Sequence, residues 1–156
     1  MTLRRKFNGA KPCTEARDSR GKKQDARSKI ERGGKGKVMI THYKDLMVYA
    51  KSYQAALDVY RIVKTFPREE IYGLMSQMKR AATSIPLNIA EGYGKRQSVS
   101  EFKRFLMMAI GSSDEIRVLL DFSKDLGYVA PEVHETLYAA YDEIGKMLNV
   151  LYQKWQ

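Results

Sequence analysis

Apolar side chains recur every three or four residues from Tyr43 to the C-terminus, in four blocks separated by proline, glycine or serine. In the first block Leu46, Tyr49, Tyr53, Ala56, Tyr60 and Val63 fall on one helical face. Asp45 stands where an N-cap belongs, and the helix is expected to stop near Phe66, because Pro67 disfavours helical geometry in the residue before it. Pro67 suits the first turn of a second helix, with Glu69 and Glu70 near its positive end. Ile71, Met75, Met78, Ala82, Ile85 and Ile89 carry its stripe. Pro86 removes a backbone donor and crowds the preceding turn, which predicts a kink or break there, and Gly92 and Gly94 are expected to end the helix.

The run Ser98-Val99-Ser100-Glu101 reads as a capping box that opens a third helix. Phe102, Phe105, Ala109, Ser112, Ile116 and Leu119 follow at helical spacing, and Gly127 is placed as its C′ residue. Pro131 starts a fourth helix, striped by Val133, Leu137, Ala140, Ile144, Met147 and Leu151, with Trp155 one turn beyond. Four amphipathic helices with short connections predict an all-α, antiparallel up-down-up-down four-helix bundle over residues 41–156, its second helix kinked at Pro86. With 44% of residues hydrophobic, one such core can be filled.

Charge divides the chain differently from apolar pattern. Residues 1–38 hold 13 Lys+Arg against 4 Asp+Glu, whereas residues 39–156 hold 15 against 14. The net charge of +10 therefore belongs almost wholly to the first segment. That segment has few large apolar groups and ends in Gly33-Gly34-Lys35-Gly36-Lys37, so residues 1–40 are expected to be a disordered basic tail. A solvated tail without a specific role is favoured over an arm for phosphate backbones. The switch at Met39, with glycine and lysine codons giving a purine run just before it, also raises the expectation that Met39 is the physiological start and residues 1–38 are not native. Within the rest, residues 39–104 carry 11 basic and 6 acidic groups and residues 105–156 carry 4 and 8.

Candidate chemistry is sparse. His42 and His134 lie far apart, neither in a His-x-x-x-His or Glu-x-x-His arrangement, and both read as surface residues. Glu91, Asp114 and Glu115 make no metal pattern. The single cysteine, Cys13, forms no internal disulfide and has no motif around it, which fits a reducing cytoplasm. Gly92-Tyr93-Gly94 lacks the preceding strand of a phosphate cradle. No enzyme, metal or cofactor is expected, no secretory signal is visible, and no apolar run of about 18 residues is present for a membrane span.

Two features remain. Around Pro86, the polar residues Thr83, Ser84, Asn88 and Glu91 are expected to satisfy backbone groups that the proline frees and to pair with Arg80; lining a groove is the other reading. Second, Arg61, Lys64, Arg68, Lys79, Arg80, Lys95, Arg96, Lys103 and Arg104 make either a binding footprint or an ordinary charged surface, and Tyr93 stands near enough in sequence to stack on a base.

Several stretches carry a resemblance: Tyr43-Lys44-Asp45-Leu46, Phe66-Pro67-Arg68-Glu69-Glu70-Ile71-Tyr72-Gly73-Leu74, and above all Gln77 with Arg80-Ala81-Ala82, Ser84-Ile85-Pro86 and Asn88-Ile89-Ala90-Glu91-Gly92. Glu101-Phe102, Phe105-Leu106 and Ala109-x-Gly111-Ser112 add to it. From about His42 onward the chain resembles the four-helix-bundle family encoded in intervening sequences of bacterial large-subunit (23S) ribosomal RNA genes. The resemblance implies a homo-oligomer, a ring of five, that binds rather than catalyses. It extends distantly to the accessory variability determinant proteins of diversity-generating retroelements, which bind nucleic acid and a reverse transcriptase. The leading expectation is thus an oligomeric RNA- or DNA-binding bundle acting through Arg80, Lys95, Arg96, Lys103 and Arg104. A protein-docking scaffold, such as an accessory to a reverse transcriptase, is the second, and a hydrolase or nuclease the third.

Overall fold

The computed structural model describes residues 40–156, and the expected basic tail lies outside the described residues except for Ile40. Four helices dominate: α1 (Met47–Ile62), α2 (Leu74–Gly94), α3 (Val99–Asp125) and α4 (Pro131–Lys154). Each packs on two others, α1 and α3 both lying against α2 and α4. Cross-helix contacts run in opposite chain directions. Arg80 meets Glu115, Ser84 meets Ser112, and Gly92 abuts Phe105 between α2 and α3. Phe102 meets Trp155, Ser113 meets the carbonyl of Tyr141, and Asp121 meets His134 between α3 and α4. α2 and α3, and α3 and α4, thus run antiparallel. Among the described residues no helix is long and apolar enough to cross a membrane.

The helix starts differ from the sequence expectation. Asp45 does not cap α1. It ends a short 3-10 turn (Tyr43–Asp45), and its carboxylate turns back to accept from the amides of His42 (2.8 Å) and Thr41 (3.0 Å). Those amides hold the Asp45 carboxyl below its ordinary value. Pro67 likewise does not open α2; it precedes a separate 3-10 turn (Arg68–Ile71). Glu70 of that turn then accepts from the amide of Leu74 at 2.9 Å, an end donor that would otherwise lack a partner. α4 begins on Pro131 as the sequence indicates, and Ser98 caps α3 by accepting from Glu101 N, but the capping box is half-made: the Ser98 amide donates to the carbonyl of Lys95 and Glu101 pairs with Arg104. Gly127, at φ 75°, closes α3 with its own amide on the carbonyl of Lys124 and that of Tyr128 on Ser123, both at 2.9 Å, the paired bonds of a Schellman motif.

The core face of α1 is rotated from the tyrosine stripe. Val48, Ser52, Ala55, Ala56, Val59 and Val63 are buried, while Tyr53 and Tyr60 are exposed. Small inward residues let α1 approach its neighbours closely, and bulky tyrosines stay outside. On α4 the buried set is His134, Leu137, Tyr141, Ile144 and Leu148, and Val133 is exposed. His134 is therefore not a surface residue: its Nε2 lies 2.7 Å from Asp121 Oδ1. The wholly buried Tyr141 hydroxyl has no hydrogen-bond partner, and burial pushes its phenol upward. An unsatisfied buried hydroxyl costs free energy that Phe does not. Tyr141→Phe is therefore expected to raise stability by about 1 kcal/mol in a denaturant melt; a loss of that size would assign the hydroxyl a partner.

Through Pro86 the helix runs without a break, and Gly92 lies inside it rather than at its end. Pro86 deprives the carbonyl of Ala82 of its usual amide. The neighbouring polar side chains bond elsewhere. Thr83 Oγ1 donates to the carbonyls of Lys79 (2.8 Å) and Arg80 (3.2 Å). Asn88 Nδ2 donates to Ser84 O (2.8 Å) and Ser84 Oγ (2.9 Å), and the Ser84 hydroxyl in turn lies 2.9 Å from Ser112 Oγ on α3. Asn88 thus braces an inter-helix serine pair instead of repairing the proline gap. Glu91 is exposed, and Arg80 pairs with Glu115, not with Glu91. Asn88→Leu is expected to cost about 1–2 kcal/mol in a thermal melt by stripping two half-buried bonds. Glu91→Ala should stay within about 0.5 kcal/mol. Equal losses for both would return Glu91 to the network.

Candidate nucleic-acid interface

Four of the five basic residues singled out in the sequence converge at one end of the bundle. Lys95 is the C-cap of α2, and Arg96 follows it in the short turn to α3. There a cation suits the negative end of α2, and the Arg96 guanidinium donates to the carbonyl of Tyr93 at 3.1 Å. Lys103 and Arg104 lie on the first turns of α3, which the tight turn brings back beside them. The antiparallel course also delivers the C-terminal turn of α4, with Tyr152 and Trp155, to the same end.

Beneath the cations lies an aromatic floor. Arg96 sits 4.3 Å from the Tyr93 ring centroid. Lys95 Nζ at 4.5 Å and the Arg104 guanidinium at 4.9 Å share the Phe105 ring. Lys103 Nζ is 5.3 Å from that of Tyr152. Phe102 and Trp155 pack edge to face with centroids 4.5 Å apart and hold the floor together. Ring faces attract cations through their quadrupole, so these contacts fix long, flexible side chains in an outward cationic patch. Arg104 is partly neutralised by Glu101 at 3.2 Å.

Arg80 stands apart. It lies on α2, about 22 Å along the helix axis from Lys95 at about 1.5 Å per residue, and its guanidinium bridges to Glu115 on α3 at 2.8 Å. It pairs across to α3 and does not join the other four. Tyr93 is also not open for stacking: it is 4% exposed, and its hydroxyl donates to the carbonyl of Ile40 at 3.0 Å. Of the expected structural group, Ser84 and Asn88 form one network, Pro86 is buried, and Glu91 is free on the surface.

Gly92 matters here for a reason other than helix termination. A Cβ at this position would stand 2.6 Å from Phe105 Cβ and 2.9 Å from Phe102. Only glycine permits this approach of α2 to α3, which seats Phe105 under Lys95 and Arg104. The sequence reading missed Phe105, Tyr152 and Trp155 as supports of the patch. The antiparallel order was the usable signal, because it sets the end of the fourth helix beside the start of the third. Among the described residues no three His, Cys, Asp or Glu side chains are grouped to hold a metal ion.

Comparison with known proteins agrees with this architecture. A solved structure from Bacteroides thetaiotaomicron, described as a protein of unknown function from the S23 ribosomal protein family, superposes with a TM-score of 0.64 at 27% sequence identity, covering 71% of this chain and 99% of that one. No curated protein matches the chain. The family model for the 23S rRNA-intervening sequence protein matches residues 44–150. That span takes in all of α1, α2 and α3 and most of α4, and on this match the chain belongs to the 23S rRNA-intervening sequence protein family.

Proposed function

We propose that this protein is a non-catalytic, oligomeric helical bundle of the cytoplasm that binds nucleic acid through the cationic end between α2 and α3. The observation that carries the reading is the convergence of Lys95, Arg96, Lys103 and Arg104 on one aromatic floor. Convergent cations held in place are the electrostatic footprint of a phosphate-binding face, and charge dispersed over the surface is not. The ribosomal RNA setting in the family's description makes RNA a natural ligand, with duplex DNA the alternative backbone. Self-association, as a ring of five or another closed number, has separate support. Tyr53, Tyr60, Met107, Val118 and Phe122 are exposed large apolar groups on α1 and α3, side chains that a subunit interface would cover.

Those same apolar groups favour one second reading, a scaffold that docks a protein such as a reverse transcriptase. Salt separates the two. Titration of the full chain with ribosomal RNA fragments and with duplex DNA at two salt concentrations should show affinity falling steeply as salt rises. Salt-insensitive capture of a protein partner with no binding to either nucleic acid would replace this reading with the docking one. Sedimentation of the chain as a monomer at micromolar concentration would remove the oligomer.

A further inference from the structure

The rings at the cationic end are occupied, and this restricts what the end can recognise. Sequence-tolerant binding of single strands rests on open aromatic faces on which bases stack. Tyr93 and Phe105 are each 4% exposed and Phe102 is wholly buried. Cations lie over two of these rings: Arg96 over Tyr93, and Lys95 and Arg104 over Phe105. Tyr152 is half-buried and carries Lys103, while half-buried Trp155 is engaged edge-on with Phe102 and Tyr93. A base seeking Tyr93, Phe105 or Tyr152 must first displace a cation that the ring stabilises, and one seeking Phe102 must open the core. A phosphate meets no such obstacle at Lys95, Arg96 and Lys103, and at Arg104 it shares the guanidinium with Glu101.

We propose that the end formed by Lys95, Arg96, Lys103 and Arg104 is a phosphate-backbone clamp that is blind to bases. It takes a run of phosphodiesters by charge and spacing, and the aromatic residues beneath serve to hold its cations, not to stack on nucleobases. This inference rests on the nucleic-acid reading above and specifies the ligand: the phosphodiester backbone itself, with base identity and base presence immaterial.

The test compares the full chain with a variant in which Lys95, Arg96, Lys103 and Arg104 are all alanine. Each is titrated at low salt, by fluorescence anisotropy, with a base-bearing single strand of about 16 nucleotides and with an abasic strand of the same length. The clamp predicts that the two strands bind the natural chain within about threefold of each other. It also predicts that the four substitutions weaken both alike. One stacked base is worth roughly tenfold in affinity. A base-bearing strand that binds tenfold or more tightly, with that preference abolished in the variant, would overturn the clamp while leaving nucleic-acid binding intact. A preference that persists in the variant arises elsewhere in the chain and upholds a base-blind clamp. Should the substitutions leave both affinities unchanged, the nucleic-acid reading of this end falls, and the clamp with it. Circular dichroism of the variant checks that its helices are retained.

Discussion

Gly92→Ala is expected to destabilise the bundle by about 3 kcal/mol, the upper part of the usual range for overpacking. For a folded unit of this size, that is a fall in melting temperature on the order of 10 °C. The cause is geometric. The new methyl would stand 2.6 Å from Phe105 Cβ, an atom fixed to the backbone of α3 that cannot swing aside. Relief requires α2 and α3 to separate, and the half-buried serine bridge between Ser84 and Ser112 and the buried residues between the two helices oppose that further along. Gly94 is the internal control. A Cβ there meets nothing within 4 Å. Gly94→Ala should therefore be neutral, or stabilising by up to about 1 kcal/mol through helix propensity. Equal melts for the two variants would show that the helices part at Gly92 without cost.

The second large effect concerns binding. Neutralising Lys95, Arg96, Lys103 and Arg104 together removes up to four phosphate contacts. Each contributes about 0.9 to the slope of log affinity against log salt on B-form DNA. The natural chain should then gain roughly a hundredfold in affinity from these four residues between about 200 and 50 mM salt, and the variant should not. The full chain is the right reagent because the basic segment before Met39 contributes its own charge to both proteins alike. Only the difference between them reports on the folded end. Stability should change little, since the four side chains sit on the surface turn and first turns of α3, although Arg96→Ala does forfeit the bond to the carbonyl of Tyr93.

How much of this was legible in the sequence depended on what each pattern measures. Helical period gave the four helices, and local chemistry gave the ends at Ser98, Gly127 and Pro131, because capping is decided by nearest neighbours. It misplaced the core face of α1, since ranking residues by apolar size selects tyrosines, while close packing selected Ser52, Ala55 and Val59. The same bias left His134 on the surface and passed over Tyr141, though both are buried. Gly92 reads as a helix stop to any local rule, and only the third helix passing over it reveals the need for glycine. Of the site, the four cations were visible as two adjacent basic pairs flanking a turn. Arg80 was grouped with them by chemistry alone, whereas Glu115 across the helix interface claims it. Tyr93 was read as a stacking ring, and the tertiary structure gives its face to Arg96 and its hydroxyl to Ile40.

The charge census also takes on a different meaning with the fold in hand. A net charge near zero over residues 39–156 argues against a broadly basic surface. It does not argue against a local one, because the acidic excess lies in residues 105–156, which hold 8 acidic against 4 basic groups and follow Arg104 in the chain. Pairs such as Arg117 with Asp114 and Asp142, and Lys146 with Asp142, leave that stretch net negative. At the opposite sequence pole, Glu101 is the carboxylate that pairs within the cationic end. Screening limits each exposed charge to about a Debye length, so it is local clustering and not the total that sets attraction for a phosphate.

The most direct test is the salt dependence of duplex binding measured side by side for the full chain and the four-alanine variant. The account predicts a shallower slope for the variant, by up to about 3.6 units of log affinity per log salt, with helicity retained. Parallel slopes and equal affinities would contradict it and move the binding function away from the α2–α3 end.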